Sequence, residues 1–342
     1  MPASLQDLPA NVLAHVLLTS APTLNLVGEV STLARVCREW RQVVLGAPDA
    51  AAAYGCGWPA AQHQERTRVL SDIHRALESL QTTPTPAPSP DLKRLSLYNQ
   101  TVGDEGGQVL GAALRALPTP SDRSVYGTGL PLQGVYLSNA SLTAAGVTSV
   151  AAGLRVCDVR TLAHLRVNGN AGLGDTGVEA LASVLPATLT HLYIGTTGCG
   201  DAGMVAIAAA LPATQMETLD AYDNPAIGEV GWAALGAALP QLTQLSVLGL
   251  SGCGGMGSDG LGLLAAGLPG ALTTLSLASC GIGVTGIESL VTSVSKCAEL
   301  QYLNLASNPA KHGAECNNVV DIAAKQSLRT ATAEHGDLII FW

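Results

Sequence analysis

Aromatic residues are scarce in this chain of 342 residues: 4% of positions, with a single Phe, four Trp and seven Tyr. The core must therefore be aliphatic, and the 47% of hydrophobic positions supply Leu, Val and Ala for it. Charge is thin as well, at 13% of residues with a net −9, and no Lys/Arg run or stripe occurs. The electrostatic footprint of a nucleic-acid binder is missing, so no nucleic acid is expected as a partner. The eight Cys stand apart at 37, 56, 157, 199, 253, 280, 297 and 316. None forms C-x-x-C and no Cys/His spacing suits zinc, which predicts no metal site and free buried thiols in a reducing compartment. No run reaches the ~18 apolar residues of a membrane helix, and no membrane partner is expected. The first residues lack the charged start and apolar core of a signal peptide and the Arg-richness of a presequence. The expected location is cytoplasmic, nuclear or both. G-x-S-x-G, a phosphate-binding loop and H-E-x-x-H are all absent. The reading predicts no catalytic group, no cofactor and no enzyme.

One pattern dominates what is present. From residue 92 onward an L-x-x-L-x-L segment, a short turn, a Gly and an Ala/Leu-rich helix recur eight times, often closing on Leu-Pro. The second Leu of each motif falls at Leu95, Val135, Leu165, Leu192, Leu219, Leu248, Leu275 and Leu303. From Leu165 the spacings are 27, 27, 29, 27 and 28 residues. Such a period predicts a solenoid in which each unit buries its apolar face only against its neighbours. The spacing of 40 from Leu95 to Val135 predicts an inserted loop near Pro118–Pro131.

Alternation along each strand sends Leu inward and the intervening residues to the concave face. Register places Arg94, Tyr98, Tyr136, His164, Arg166, His191, Tyr193, Asp220 and Tyr222 there, with Tyr302 further on. Five of the seven Tyr thus fall on one face, and Tyr and Arg dominate binding hot spots. The alternative is a Tyr row that only ladders across parallel strands, where Tyr is a favoured residue. Later repeats offer Gly249, Ser251, Ser276 and Ala278, so the large polar groups gather in the first five. A polar ladder is expected at Asn170, Thr197, Asn224, Cys253, Cys280 and Asn308, replaced by Gln100 and Ala140 in the first two repeats, with Asn99 and Asn139 one residue earlier. Acids at the helix starts (Asp104, Asp175, Asp201, Glu229, Asp259) suit N-caps and the helix dipole.

The repeat pattern resembles the ribonuclease-inhibitor class of leucine-rich repeats over roughly residues 92–308. The expected fold class is α/β: a leucine-rich-repeat solenoid, a horseshoe with parallel strands inside and helices outside, preceded by a small all-α module. Gly255-x-Gly257-x-x-Gly260 fits a dinucleotide fingerprint. The match recurs at Gly172, Gly198 and Gly281 in register with the repeat, as a tight turn would and a cofactor site would not. His164 and His191 share one repeat position and read as neighbours on one face rather than as an acid/base pair.

The N-terminus is different. Leu8, Val12, Leu13, Val16 and Leu17 form one helical stripe, with Pro9 pre-set for the helix start. Leu33, Val36, Cys37, Trp40, Val43 and Val44 form another. Helices this short need a partner to bury such surfaces. Leu8-Pro9, then Leu13 with Val16-Leu17, then Val36-Cys37-x-x-Trp40 resemble an F-box, although the loop around Ser20 to Val30 is longer than the family's. The resemblance implies docking on the Skp-type adaptor of a cullin–RING ubiquitin ligase, with Leu8, Pro9, Leu13, Val16, Leu17, Val36, Cys37 and Trp40 in the module core or the adaptor contact. A helical cap for the solenoid is the alternative.

The expected order is therefore an F-box module (1–50), an amphipathic capping helix within 51–81, a Pro-rich linker (82–91), about eight repeats (92–308) and a C-terminal cap (309–342). The expected function is substrate recognition for a Skp–cullin–F-box type ligase, with an unknown target protein on the concave face. A structural scaffold and a small-GTPase regulator are the other readings.

Overall fold

In a computed structural model of the chain, the described residues are 94–99, 102–116, 132–156, 159–308, 322–333 and 338–342. The F-box-like residues Leu8 to Trp40, the capping helix, the Pro-rich linker and the insert at 118–131 lie outside them. The chain divides into two compact units. One contains 93–107, 131–151 and 159–342; the other contains 1–92, 108–130 and 152–158. Of the latter, the described residues are two helical segments, 108–116 and 152–156. They approach closely at paired glycines: a Cβ at Gly153 would lie 2.6 Å from the Gly111 carbonyl oxygen.

The larger unit holds one nine-stranded sheet in sequential order, every pair parallel. Its strands have three residues each: β1 (Arg94–Ser96), β2 (Gly134–Tyr136), β3 (His164–Arg166), β4 (His191–Tyr193), β5 (Thr218–Asp220), β6 (Val247–Gly249), β7 (Thr274–Ser276), β8 (Tyr302–Asn304) and β9 (Ile339–Phe341). The connecting helices are α1 (Gly103–Ala116), α2 (Ala144–Val156), α3 (Gly174–Ala182), α4 (Asp201–Ala210), α5 (Glu229–Ala238), α6 (Gly257–Ala265), α7 (Val284–Val294) and α8 (Ile322–Ala331). This is a leucine-rich-repeat solenoid. Leu95, Val135, Leu165, Leu192, Leu219, Leu248, Leu275 and Leu303 align across it, and all from Val135 onward are buried. Helix residues close the core from the other side: Val178 and Leu181, Met204 and Ile207, Trp232 and Leu235, Leu261 and Leu264, Ile287 and Leu290. Trp232 is fully buried, and its indole N–H donates to the Ile227 carbonyl at 3.1 Å.

The described tail residues lie against the last Leu-rich repeat. Ile340 takes the central Leu position opposite Leu303, and α8 packs on α7, so the tail supplies a ninth, degenerate repeat. Ile339 and Phe341 flank Ile340 at 55% and 48% exposure, because alternation turns them outward with the strand face.

The polar ladder forms inside each turn. Asn224 Oδ1 accepts from the backbone N–H of Thr197 and Cys199, both at 3.1 Å, and its Nδ2 donates to the carbonyls of Ile194 and Ala221, both at 3.0 Å. Asn170 and Asn308 repeat these four bonds. They satisfy turn amides that burial would otherwise orphan. The residue before each ladder position has positive φ: Asn99, Asn139, Gly169, Thr196, Asp223, Gly252, Ser279 and Ser307. Asn99 and Asn139 are therefore not displaced ladder residues. They occupy the left-handed turn that Asn tolerates better than most, and Asn139 Nδ2 donates to Asn99 Oδ1 at 2.8 Å.

The helix-start acids do not cap their own helices. Asp175 Oδ1 accepts from the N–H of Gly200 and Gly203, and Asp201 Oδ1 from Gly228 and Gly231, each in the following repeat. Asp104 likewise holds Thr143 and Gly146, and Ser258 Oγ holds Gly283. A first-turn acid here does not use the fold-back that a capping box allows. It reaches instead the free amides of the next helix, which the D-x-G glycine brings near: a Cβ at Gly203 would lie 2.9 Å from Asp175 Oδ1. Asp259 is one position out of this register, and Ser258 takes the role. Helices α1, α3 and α6 start differently. Each opens on a left-handed glycine (Gly103, Gly174, Gly257) whose N–H donates to the carbonyl of the next ladder residue (Ala140, Thr197, Cys280).

Candidate functional site

On the sheet face opposite the helices, residues stand in three rows across the strands. The first runs Gly134, His164, His191, Thr218; the second Tyr136, Arg166, Tyr193, Asp220, Gly249. The third, just past the strands, runs Tyr98, Ser138, Asn168, Gly195, Tyr222, as the backbone bonds between successive turns show. Strict alternation produces them, with the buried Leu flanked by half-buried face residues in β3 and β4, whereas Gly134 of β2 and Thr218 of β5 are themselves buried.

Seven of the nine predicted face residues gather over β2 to β5. The guanidinium carbon of Arg166 lies 4.1 Å from the Tyr193 ring centroid and 5.5 Å from that of Tyr136. The cation therefore sits between two aromatic faces, an arrangement worth about 0.5–2 kcal/mol per contact depending on desolvation. In the adjacent row the His164 and His191 rings are 4.4 Å apart, and Tyr136 stacks toward His164 at 6.5 Å. Asn168 joins the third row: it accepts from Ser138 Oγ at 2.7 Å and its Nδ2 contacts Tyr222 Oη at 3.3 Å. The Tyr222 ring covers Gly195, where any Cβ would overlap it. Gly195 thus makes room for the tyrosine, a role the register alone did not reveal. Arg94 and Tyr98 belong to the edge strand segment, with Tyr98 55% exposed.

The five tyrosines do not form one ladder. Tyr136 and Tyr193 are in the second row separated by Arg166, Tyr98 and Tyr222 in the third, and Tyr302 in the first, beside Phe341 at 5.2 Å. Their spread across rows prevents a continuous stack. Past Asp220 the second row continues as Gly249 and Ser276, leaving a low surface.

Asp220 is half-buried, and burial pushes its carboxyl above the usual range, opposed by the Tyr222 amide and the Arg166 charge. The thiols of Cys199, Cys253, Cys280 and Cys297 are buried, and burial raises them to about 12, 12, 11 and 11. Such thiols stay protonated and unreactive. Cys253 and Cys280 donate to the Ala221 and Leu250 carbonyls as ladder residues. Among the described residues no group of three or more His, Cys, Asp or Glu is placed to hold a metal ion, and no helix is long and apolar enough to cross a membrane.

A leucine-rich repeat family model matches residues 160–182 and 272–291, the β3–α3 and β7–α7 segments. No curated protein sequence matches the chain significantly. Among solved structures the chain is similar to one in the crystal structure of the Rad7 and Elc1 complex in yeast. That similarity has 13% identity, covers 88% of this chain and 89% of that one, and gives a TM-score of 0.39.

Proposed function

We propose that this leucine-rich-repeat protein is the substrate-recognition subunit of a Skp–cullin–F-box type ubiquitin ligase, binding its target on the sheet face over β2 to β5. The observation that carries this reading is the pairing of an F-box-like segment (Leu8-Pro9, Leu13, Val16-Leu17, Val36-Cys37-x-x-Trp40) with a solenoid. The clustering of Tyr136, Arg166, Tyr193 and Tyr222 on one solenoid face supplies the second half, since such residues supply most hot spots. In this reading the chain breaks no bond and works in the cytoplasm or nucleus. It raises the effective concentration of a target lysine beside the charged conjugating enzyme. The Pro-rich segment from Thr82 to Pro90 suits this role, because alternating Pro makes a stiff, extended spacer.

The test is capture of a purified Skp-type adaptor by the intact chain. The wild type is expected to retain it, and a Leu8→Ala, Pro9→Ala, Trp40→Ala variant to lose it with the melting transition of the repeats unchanged. Failure of the wild type to bind the adaptor would leave a scaffold as the better reading.

A further inference from the structure

We infer that the face over β2 to β5 takes an extended peptide by an anionic oxygen group, carboxylate or phosphate, seated on the Arg166 guanidinium. The inference rests on the proposed function only in assigning this face to the target. Arg166 is fixed by its surroundings: Tyr193 and Tyr136 flank it in its own row, at 4.1 and 5.5 Å. A stacked guanidinium is planar and pre-organised, and its N–H edges suit a two-oxygen acceptor. Those edges have no internal carboxylate. Among the described residues no ion pair joins Arg166 to an acid, and its buried Nε has no hydrogen-bond partner. Asp220, the acid of the same row, is two strands away with Tyr193 between them. It also leans the other way, since a Cβ at Gly249 would lie 2.6 Å from Asp220 Oδ1.

The surroundings favour an anion over β3 and disfavour one over β5. His164 and His191 stand in the neighbouring row, and the His191 Nδ1 contact to Thr190 Oγ1 at 2.8 Å leaves Nε2 as that ring's other polar edge. Asn168, on the far side of Arg166, is already engaged with Ser138 and Tyr222. The Asp220 carboxylate repels a second acid at the β5 end. A bound peptide therefore has a polarity on the face: its acidic group over β3, its small or neutral residues over Gly249 and Ser276.

Oriented peptide libraries, degenerate except for one fixed central residue, test this with the full-length chain. The fixed residue is Glu, phosphoserine, Gln or Lys. The Glu and phosphoserine libraries are expected to be retained at least about tenfold better than Gln, the ratio a charge-assisted hydrogen bond gives. Which of the two is retained more tells carboxylate from phosphate. Arg166→Ala and Arg166→Lys should both lose that preference, the second because an ammonium lacks the planar fork. Asp220→Asn should strengthen retention. Thermal melting of each variant confirms that the repeats remain folded. Equal retention of Glu and Gln libraries, or an unchanged preference in Arg166→Lys, overturns the inference. If both libraries bind equally but a Tyr136→Ala, Arg166→Ala, Tyr193→Ala variant loses them, the face still binds a target and only its anionic character is wrong. Adaptor capture is unaffected by any of these outcomes.

Discussion

At the scale of single residues, buried polar groups are held by a small number of fully satisfied side chains. Asn224 serves two backbone donors and two carbonyls at once. Asn224→Ala leaves the two amides unpaired in a dry turn, while the carbonyls keep only Thr197 Oγ1 and Cys253 Sγ, and should cost about 3 kcal/mol, read as a lowered urea midpoint with an unchanged slope. Asp220 behaves in the opposite sense. Its folded-state carboxyl titrates above its ordinary value of 3.8, so the ionised form is the less stable one in the fold. Stability contributed by the protonated acid is present at low pH and is lost as pH rises through the raised value. Asp220→Asn should therefore melt higher than wild type at neutral pH, and the two should converge below the ordinary value. The rows of Leu and the face residues were legible because a fixed period and strict alternation decide them. The left-handed turn at Asn99 and Asn139 was not legible, since an Asn reads equally well as a ladder residue until the backbone is seen.

At the scale of elements, helices are tied forward by carboxylates. Asp175→Ala removes two bonds to α4 and should cost about 1 kcal/mol, as lost helix caps do. Gly203→Ala pushes a Cβ to 2.9 Å from both Asp175 Oδ1 and Cys199 Sγ, and should also lower the melting temperature. Because the two substitutions strike one contact, the second should cost less in the Asp175→Ala background, a coupling measured by a double-mutant cycle. The acids were visible in the sequence but their partners were not. A residue about 27 positions away becomes the partner only when two helices lie close enough, and that distance is set by the absent Cβ of glycine rather than by any local signal. The ninth strand escaped for a similar reason: Ile339–Phe341 carries the alternation without the Leu-rich signature, and only pairing with β8 shows its register.

At the scale of the whole solenoid, stability is a sum of repeats and of the joints between them. The forward ties are unevenly distributed. They link α1 to α2, then α3 to α4 to α5, then α6 to α7. At the equivalent place α2 carries Ala144, which has no polar side chain, and among the described residues Glu229 of α5 makes no such bond to α6. Native-state hydrogen exchange should show the amides of β3 through α5 opening together as one block, distinct from the repeats on either side. In its forward side-chain ties alone the solenoid is a set of vertebrae with two seams, one before β3 and one after α5, while the sheet pairing runs on through both and α5 still packs on α6. Arg166, Tyr193, Asp220 and Tyr222 all ride on the middle vertebra, whereas Tyr136 rides on the one before it. A flexure at that first seam would shift Tyr136 against Arg166 and leave the other three in place, so the grip proposed for this face would change at one ring without disturbing the rest.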